Sequence, residues 1–304
     1  MFIKSKKFIS ASALIFISVL FLWSQPDEEN KVDIFFTSSI NGNLDGCECV
    51  AVPRAGLVST GVYLRQRDLS DSILVDLGDF MDVYPDDLLA DNIFHVFSEL
   101  NYDLLSLGDQ EFTEGLDYLL EKAELYPFIN NSLRINGSLI SDSPVIIERE
   151  GRRIGFASII DPQVFYFHPA NIKEALVVED INEASDRLLS ELDNMDTQAR
   201  VLLFHGPSNK AEALFQDDEA WDFVLFAHDQ KLHQENDGGN RYIASPGDNG
   251  NRVGRATIYF DGDNVERIDG DFIYFDYMED PRDPVIKKRL DLYKKEMIAR
   301  LQGD

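Results

Sequence analysis

Side chains that bind metal ions in proteins follow four apolar, strand-like runs of this sequence, each at the point where the run ends. Asp79 and Asp109 follow two early runs, and His205 and His228 end two later ones. Loops at the carboxyl ends of the strands converge on one crevice of an open α/β sheet, so we expect these side chains to meet. Two carboxylates and two imidazoles are donors for a divalent transition metal of the zinc or manganese class. The sequence therefore predicts a centre for one or two such ions.

The elements that must position these residues alternate between strand and helix. Apolar runs predict strands over residues 32–38, 72–76, 104–107, 128–130, 145–148, 154–160, 201–205, 223–226, 242–245, 253–260 and 265–275. Amphipathic stretches predict helices over residues 56–66, 87–100, 116–125, 179–192 and 208–215. Strand–helix alternation followed by antiparallel strands indicates an α/β fold, a two-sheet α/β/β/α sandwich. We expect one domain over residues 31–276 and a C-terminal amphipathic helix over residues 283–304.

The composition excludes several classes of protein. The 304 residues are 44% hydrophobic and carry a formal net charge of −27. This apolar content excludes intrinsic disorder, and the acidic charge opposes nucleic-acid binding. The same charge repels small anionic substrates unless a metal ion reverses the field locally. The chain has only two cysteines, which excludes a disulfide-dense scaffold.

Residues 1–26 have the pattern of an export segment. Lys4, Lys6 and Lys7 precede an uncharged apolar stretch over residues 8–23. A cleaved signal peptide and a retained N-terminal membrane anchor both fit this pattern. Either places the domain outside the cytoplasm, in the periplasm or anchored to the outer face of the inner membrane. We expect membrane contact only through this segment, and the sequence leaves the oligomeric state open.

The motifs at the strand ends also occur in a characteristic order. Gly78-Asp79 is followed by Gly108-Asp109-Gln110-Glu111, His205-Gly206, a segment at 227–230 and the segment 247–255. This order resembles that of calcineurin-like metallophosphoesterases, and most of all the N-terminal catalytic domain of periplasmic 5′-nucleotidases and UDP-sugar hydrolases. The resemblance extends over about residues 32–275. It implies hydrolysis of a small phosphorylated or other anionic substrate at two metal ions bridged by one carboxylate.

The resemblance assigns the four predicted ligands to one of the two metal positions. Asp79 corresponds to the bridging carboxylate, and His205 and His228 to histidine ligands of that position. Asp109 stands where the family has an Asn ligand, and a carboxylate there coordinates through oxygen just as well. The resemblance therefore implies that this half of the centre is chemically complete.

The other half departs from the family pattern. Ser39 and Asn41 replace an Asp and a His ligand, so that only Gln230 and the bridging Asp79 remain. Gln110 replaces the catalytic His that faces the leaving group. A glutamine amide can donate a hydrogen bond to a phosphoryl oxygen, but it cannot donate a proton to an alkoxide.

Cys47 and Cys49 lie in the loop after the first strand, close in sequence to the two replaced ligands. A branch of the superfamily is similar in carrying a Cys-x-Cys pair here. Thiolates are good ligands for thiophilic metals, so the pair would compensate for Ser39 and Asn41. A local disulfide or redox role and a purely structural role stay open as alternatives.

The remaining candidates are peripheral. Arg255, in the last motif, is expected to bind substrate, whereas His168 and His233 are expected to be structural or solvated. The chain ends soon after the C-terminal helix, so we expect it to lack the C-terminal domain that binds the nucleobase in 5′-nucleotidases. Two hypotheses follow. The chain is a metal-dependent phosphoester hydrolase, or it is a catalytically impaired relative that serves as a binding or accessory protein.

Overall fold

The computed structural model describes residues 30–46, 55–216, 221–247, 250–277 and 279–303. The strands are β1 (Lys31–Thr37), β2 (Ser72–Asp76), β3 (Leu104–Ser106), β4 (Phe128–Ile129), β5 (Leu133–Ile135), β6 (Ser138–Leu139), β7 (Val145–Arg149), β8 (Arg152–Ile160), β9 (Leu176–Val178), β10 (Ala199–Gly206), β11 (Phe223–His228), β12 (Leu232–Asn236), β13 (Tyr242–Pro246), β14 (Arg252–Asp261) and β15 (Asn264–Tyr274). The helices are α1 (Gly56–Arg65), α2 (Asp87–Leu100), α3 (Leu116–Leu125), α4 (Ala170–Ala175), α5 (Ile181–Asp193), α6 (Ser208–Gln216) and α7 (Pro284–Gln302).

Two six-stranded sheets organise the chain. The first has the order β15-β14-β1-β2-β3-β4, and the second has the order β12-β13-β11-β10-β8-β7. Strands β1 to β4 run parallel to one another, as do β8, β10, β11 and β13 in the second sheet. Antiparallel strands flank each parallel set. A third, three-stranded sheet has the order β6-β5-β9.

The two large sheets pack face to face, and helices cover their outer faces. Between the sheets lies a core to which Phe36 of β1 and Phe223 of β11 both belong. Residues of α1 and α2 pack over the first sheet, and residues of α5 and α6 pack over the second. Strands buried on both faces are expected to read as continuous apolar runs, as β2 and β11 do. The predicted α/β/β/α sandwich is confirmed.

Helix α7 packs against the helical layer of the first sheet. Ile286 and Leu290 are buried in the same core as α1 and α2. Asp283 caps the helix by accepting from the backbone N–H groups of Val285 and Ile286, and it receives a hydrogen bond of 2.9 Å from Arg65 Nε. Among the residues that the structure describes, no helix is long and apolar enough to cross a membrane. The predicted export segment lies outside those residues.

Candidate metal centre

The carboxyl ends of strands from both large sheets meet at one edge of the sandwich. Asp79 follows β2 and Asp109 follows β3, which are neighbouring parallel strands. His205 lies near the end of β10, and His228 is the last residue of β11, its parallel neighbour. One potential ligand atom from each of the four residues lies within 4.8 Å of the others. The structure therefore brings together the four side chains that were predicted to form a metal site, called here the Asp/His cluster.

The two imidazoles of the Asp/His cluster face its two carboxylates. His205 Nε2 lies 3.3 Å from Asp79 Oδ1 and 3.3 Å from Asp109 Oδ1. His228 Nδ1 lies 3.1 Å from Asp109 Oδ1 and 4.0 Å from Asp79 Oδ2. The other ring nitrogen of His205, Nδ1, lies 3.1 Å from the carbonyl oxygen of Leu77. A proton on Nδ1 would bond that carbonyl and leave Nε2 with a lone pair directed at the carboxylates, as a metal ligand requires.

Glu111 holds the two ligand-bearing loops together. Its buried carboxylate accepts hydrogen bonds from the backbone N–H groups of Gly108 (2.6 Å), Asp79 (3.0 Å), Phe80 (2.9 Å) and Met81 (3.3 Å). Burial raises the pKa of Glu111 to about 7, and the Asp79 carboxylate adds to that rise. One side chain thus fixes the backbone on both sides of the cluster.

Glycine is required where these loops cross. A Cβ atom at Gly108 would lie 2.4 Å from Asp79 Oδ1 and 2.6 Å from His205 Cε1. Gly78 has a φ of 91°, and a Cβ there would lie 2.4 Å from the backbone nitrogen of Gly108. Both positions therefore exclude larger residues, because the space that a side chain would fill is taken by the cluster and its supporting backbone.

The electrostatics of the cluster are those of a paired acid–imidazole site. Burial raises the pKa of Asp109, but the neighbouring imidazoles of His168, His205 and His228 outweigh burial and hold it well below its usual range. Burial lowers the pKa of His205, but Asp79 and Asp109 outweigh this effect and raise it well above its usual range. Without a cation, His205 is therefore held protonated by the two carboxylates. A divalent ion would replace that proton and satisfy the same four side chains, so the donor set fits a transition metal.

Next to the Asp/His cluster lies a group of uncharged side chains. Gln110 Nε2 donates to Asn41 Oδ1 at 2.8 Å, and Gln230 Nε2 lies 3.5 Å from the same oxygen. Asn41 Nδ2 donates in turn to the backbone carbonyl of Ser39 at 2.8 Å. Gln110 Oε1 and Ser39 Oγ are buried without a hydrogen-bond partner among the described residues. We call Ser39, Asn41, Gln110 and Gln230 the amide cluster.

No family model matches the chain. A 2′,3′-cyclic-nucleotide 2′-phosphodiesterase/3′-nucleotidase of Salmonella typhimurium is 25% identical over 209 residues, which are 57% of this chain and 31% of the relative. A 5′-nucleotidase precursor of Thermus thermophilus superposes with a TM-score of 0.74 at 16% identity, covering 90% of this chain and 60% of that one. The calcineurin-like phosphoesterase YfkN of Bacillus subtilis superposes with a TM-score of 0.73 at 17% identity, covering 90% of this chain and 99% of that one. The chain has the metallophosphoesterase fold.

The sequence resemblance to metallophosphoesterases and to the N-terminal domain of 5′-nucleotidases is thereby confirmed. The chain spans about a third of the length of the Salmonella relative and about three fifths of the Thermus one. Within the metallophosphoesterase fold, the Asp/His cluster and the amide cluster lie side by side, where the resemblance implies two metal positions. Metal binding by the Asp/His cluster and Gln230, the loss of ligands at Ser39 and Asn41, and the role of Gln110 stay predictions.

The structure does not test the predicted roles of three further site residues, Cys47, Cys49 and Arg255. Cys47 and Cys49 lie outside the described residues, so their predicted metal ligation stays a prediction. Arg255 lies on β14, and its Nη2 is 2.9 Å from Asp33 Oδ2. Asp33 is near the start of β1, so the guanidinium reaches away from the carboxyl ends of the strands, where the Asp/His cluster lies. Substrate binding by Arg255 also stays a prediction.

His168, which the sequence predicted to be structural or solvated, lies beside the Asp/His cluster. Its Nε2 lies 3.7 Å from Asp109 Oδ2, and its ring packs edge-on against Phe112 and Phe165. The turn at Pro162–Phe167, which follows β8, carries His168 to the cluster. The residues on either side of His168, Phe167 and Pro169, gave no sign of chemistry. The one available signal was that this turn also follows the carboxyl end of a parallel strand.

Proposed function

We propose that this chain is a metal-dependent phosphoester hydrolase of the extracytoplasmic space, acting on a small phosphorylated or related anionic substrate. The observation that carries the proposal is the convergence of Asp79, Asp109, His205 and His228 within 4.8 Å at one edge of a metallophosphoesterase fold. Two relatives, from Salmonella typhimurium and Haemophilus influenzae, are 2′,3′-cyclic-nucleotide 2′-phosphodiesterase/3′-nucleotidases, which supports the reaction class. The alignment covers under half of each, so nucleotide specificity is not carried over.

The Asp/His cluster would hold one divalent ion of the zinc or manganese class. Such an ion, when bound, polarises a phosphoryl oxygen and lowers the pKa of an attacking water. Asp79 and Asp109 supply the negative charge, and the hydrogen bond between His205 Nδ1 and the carbonyl oxygen of Leu77 orients the imidazole ring. Glu111 keeps both loops rigid through four backbone hydrogen bonds. The chain's own contribution is thus a preformed donor set.

Gln110 would orient the phosphoryl group rather than protonate the leaving group. One of its amide hydrogens is committed to Asn41, and the other is available to an oxygen of the substrate. Because an amide gives up no proton, an alkoxide would have to leave unaided, which costs roughly 10²- to 10⁴-fold in rate. The hydrolase is therefore expected to favour esters whose alcohols are good leaving groups.

The proposal is tested by turnover of bis(p-nitrophenyl) phosphate and p-nitrophenyl phosphate after loading with zinc or manganese. We expect metal-dependent hydrolysis that is lost in His228→Ala. His95→Ala is the matched control, because His95 is exposed on α2 and lies outside the cluster. Full activity of His228→Ala, or activity unaffected by a chelator, would contradict the proposal.

The amide cluster favours a second candidate, a binding or accessory protein that has lost catalysis. Asn41 and Gln110 bond each other, so the position at which the family has its catalytic His is occupied by a fixed, non-titrating pair. A protein of this kind would bind metal and a phosphonate analogue but would turn over none of the esters above.

Export is proposed from the sequence alone. A fusion of residues 1–26 to a reporter enzyme that is active only outside the cytoplasm is expected to be active. Retention of the fusion in the cytoplasm would contradict this part of the proposal.

A further inference from the structure

A cleft of about 830 Å³ opens beside the Asp/His cluster. Asp109 and His228 of the cluster line it, together with Gln110. The cleft is therefore continuous with the place where the phosphoryl group would sit. What lines the rest of the cleft decides which alcohol or second ester group the site can accept.

Seven of the other thirteen lining residues are apolar, and the rest include the polar side chains of Thr113, Gln163, His168 and Asn171. Phe167, one of these lining residues, is 93% exposed, so its ring is free to contact a bound group. Val83, another lining residue, is 59% exposed. The other apolar lining residues are Pro85, Phe112, Val164, Pro169 and Ile172.

The charged side chains that line the cleft indicate which substrates it can accept. Its lining residues include the carboxylates of Asp109 and Glu114, and no lysine or arginine lines it in the described part of the chain. A substrate that carried a second phosphate or a carboxylate into the cleft, away from the Asp/His cluster, would meet the Glu114 carboxylate with no lysine or arginine of the described lining to balance it. The net charge of −27 adds to that repulsion.

We propose that the cleft binds the organic group of the substrate, and that this group is uncharged and apolar, with an aromatic ring favoured by contact with Phe167. The substrate class is a phosphomonoester or phosphodiester whose only anionic centre is the reacting phosphoryl group. The proposal rests on the proposed function, because it places the phosphoryl group at the Asp/His cluster. It adds that Phe167 is a specificity-determining residue.

The test uses binding, so that it does not depend on turnover. Metal-loaded protein is titrated calorimetrically with phenylphosphonate, methylphosphonate and 4-carboxyphenylphosphonate. Partial burial of a phenyl ring predicts roughly tenfold tighter binding of phenylphosphonate than of methylphosphonate. The 4-carboxyphenyl analogue has the same ring with one added charge, and we expect it to bind more weakly than phenylphosphonate.

Phe167→Ala should abolish most of the preference for the phenyl compound and leave methylphosphonate binding unchanged. Tyr166→Ala is the matched control. Tyr166 is 74% exposed and its ring contacts that of Phe167, but it lines the neighbouring cavity with Pro162 and Lys173. Both residues are exposed, so neither substitution should affect folding.

The outcomes separate the two proposals. Phenyl preference that depends on Phe167, in a protein that hydrolyses no ester, supports the cleft proposal and contradicts the hydrolase. Hydrolysis with equal binding of the two phosphonates, or with a preference that survives Phe167→Ala, contradicts the cleft proposal and leaves the hydrolase standing. Failure of the metal-loaded protein to bind any phosphonate also contradicts the cleft proposal. Tighter binding of the 4-carboxyphenyl analogue would overturn the charge argument.

Discussion

The two neighbouring clusters of the site differ in charge although they share one edge of one sandwich. The Asp/His cluster contains two carboxylates and two imidazoles whose ligand atoms lie within 4.8 Å, and its buried members are paired with each other. The amide cluster contains no ionisable side chain. It is held by neutral hydrogen bonds between Asn41, Gln110 and Gln230.

One scaffold thus combines two different halves of the predicted metal centre. The Asp/His cluster has the donors for a cation, whereas the amide cluster is held by neutral hydrogen bonds. Four charged or titratable groups in close contact are costly to bury unless a cation balances them. In the amide cluster, Gln110 donates to Asn41 without any ion, while Gln110 Oε1 and Ser39 Oγ have no hydrogen-bond partner among the described residues. The structure therefore predicts that one half depends on metal and the other does not.

The largest expected effect on hydrolysis comes from replacing the uncharged side chains of the amide cluster with ionisable ones. Ser39→Asp, Asn41→His and Gln110→His together restore the residue types that the family has at these positions. The triple variant should bind one additional metal equivalent. Its hydrolysis of an alkyl phosphate should rise by roughly 10²- to 10⁴-fold, because the new imidazole can protonate an alkoxide.

Activity on p-nitrophenyl esters should rise much less, since that leaving group needs no proton. The matched control is the double variant Ser39→Asp and Asn41→His, which should gain the metal equivalent without the selective gain on alkyl esters. Equal gains on both ester types would show that Gln110 does not limit leaving-group departure.

A smaller effect is expected from crowding the Asp/His cluster without changing its charge. Gly108→Ala places a Cβ atom 2.4 Å from Asp79 Oδ1. Overpacking of this kind costs about 1–3 kcal/mol of folding free energy, and the displaced carboxylate should weaken metal binding. Urea unfolding and metal titration would measure both. Gly239→Ala is the control because that glycine is exposed and a Cβ there comes no closer than 3.4 Å to Asp237.

The smallest expected effect is on the pH dependence of folding stability, to which the Asp/His cluster contributes and the amide cluster does not. In chelator-treated protein, the raised pKa of His205 stabilises the fold fully below about pH 6.5, and this stabilisation is lost as the pH rises through the folded-state pKa. The lowered pKa of Asp109 stabilises the fold above about pH 4 and is lost only in acid. The melting temperature of metal-free protein should therefore fall as the pH rises above about 6.5.

Metal-loaded protein should show no such fall, because the ion needs the neutral imidazole and gains affinity as the pH rises. The variant Asn41→Ala should keep the pH profile of the parent, since the amide cluster does not titrate. If the melting temperature of metal-free protein did not change with pH, His205 would not be protonated in the folded metal-free protein.

Parts of the fold could be predicted from the sequence because burial leaves a periodic pattern. The bounds of β2, α2 and α3 match the predicted residues 72–76, 87–100 and 116–125. Strand β12 (Leu232–Asn236) was missed because it is an edge strand with mostly exposed, polar side chains. The small sheet of β5, β6 and β9 was missed because its strands have only two or three residues each.

The site was predictable to the extent that its residues end strands. Asp79, Asp109, His205 and His228 follow from that rule and from the order of the motifs. The hydrogen bond between Asn41 and Gln110 joins residues 69 positions apart, and no local pattern indicates it. His168 reaches Asp109 from a turn whose sequence has no helical or strand period.

The Asp/His cluster is expected to hold one ion by itself, without ligands from the cysteine loop. The direct measurement is elemental analysis of three purified proteins after zinc or manganese loading and dialysis: the parent, Cys47→Ala/Cys49→Ala, and the latter with His228→Ala added. If the cysteines supply ligands to a second site, the double variant should lose one metal equivalent relative to the parent. In either case it should retain one equivalent, which the added His228→Ala should remove. Retention of the ion after His228→Ala, or absence of metal from all three proteins, would contradict the account.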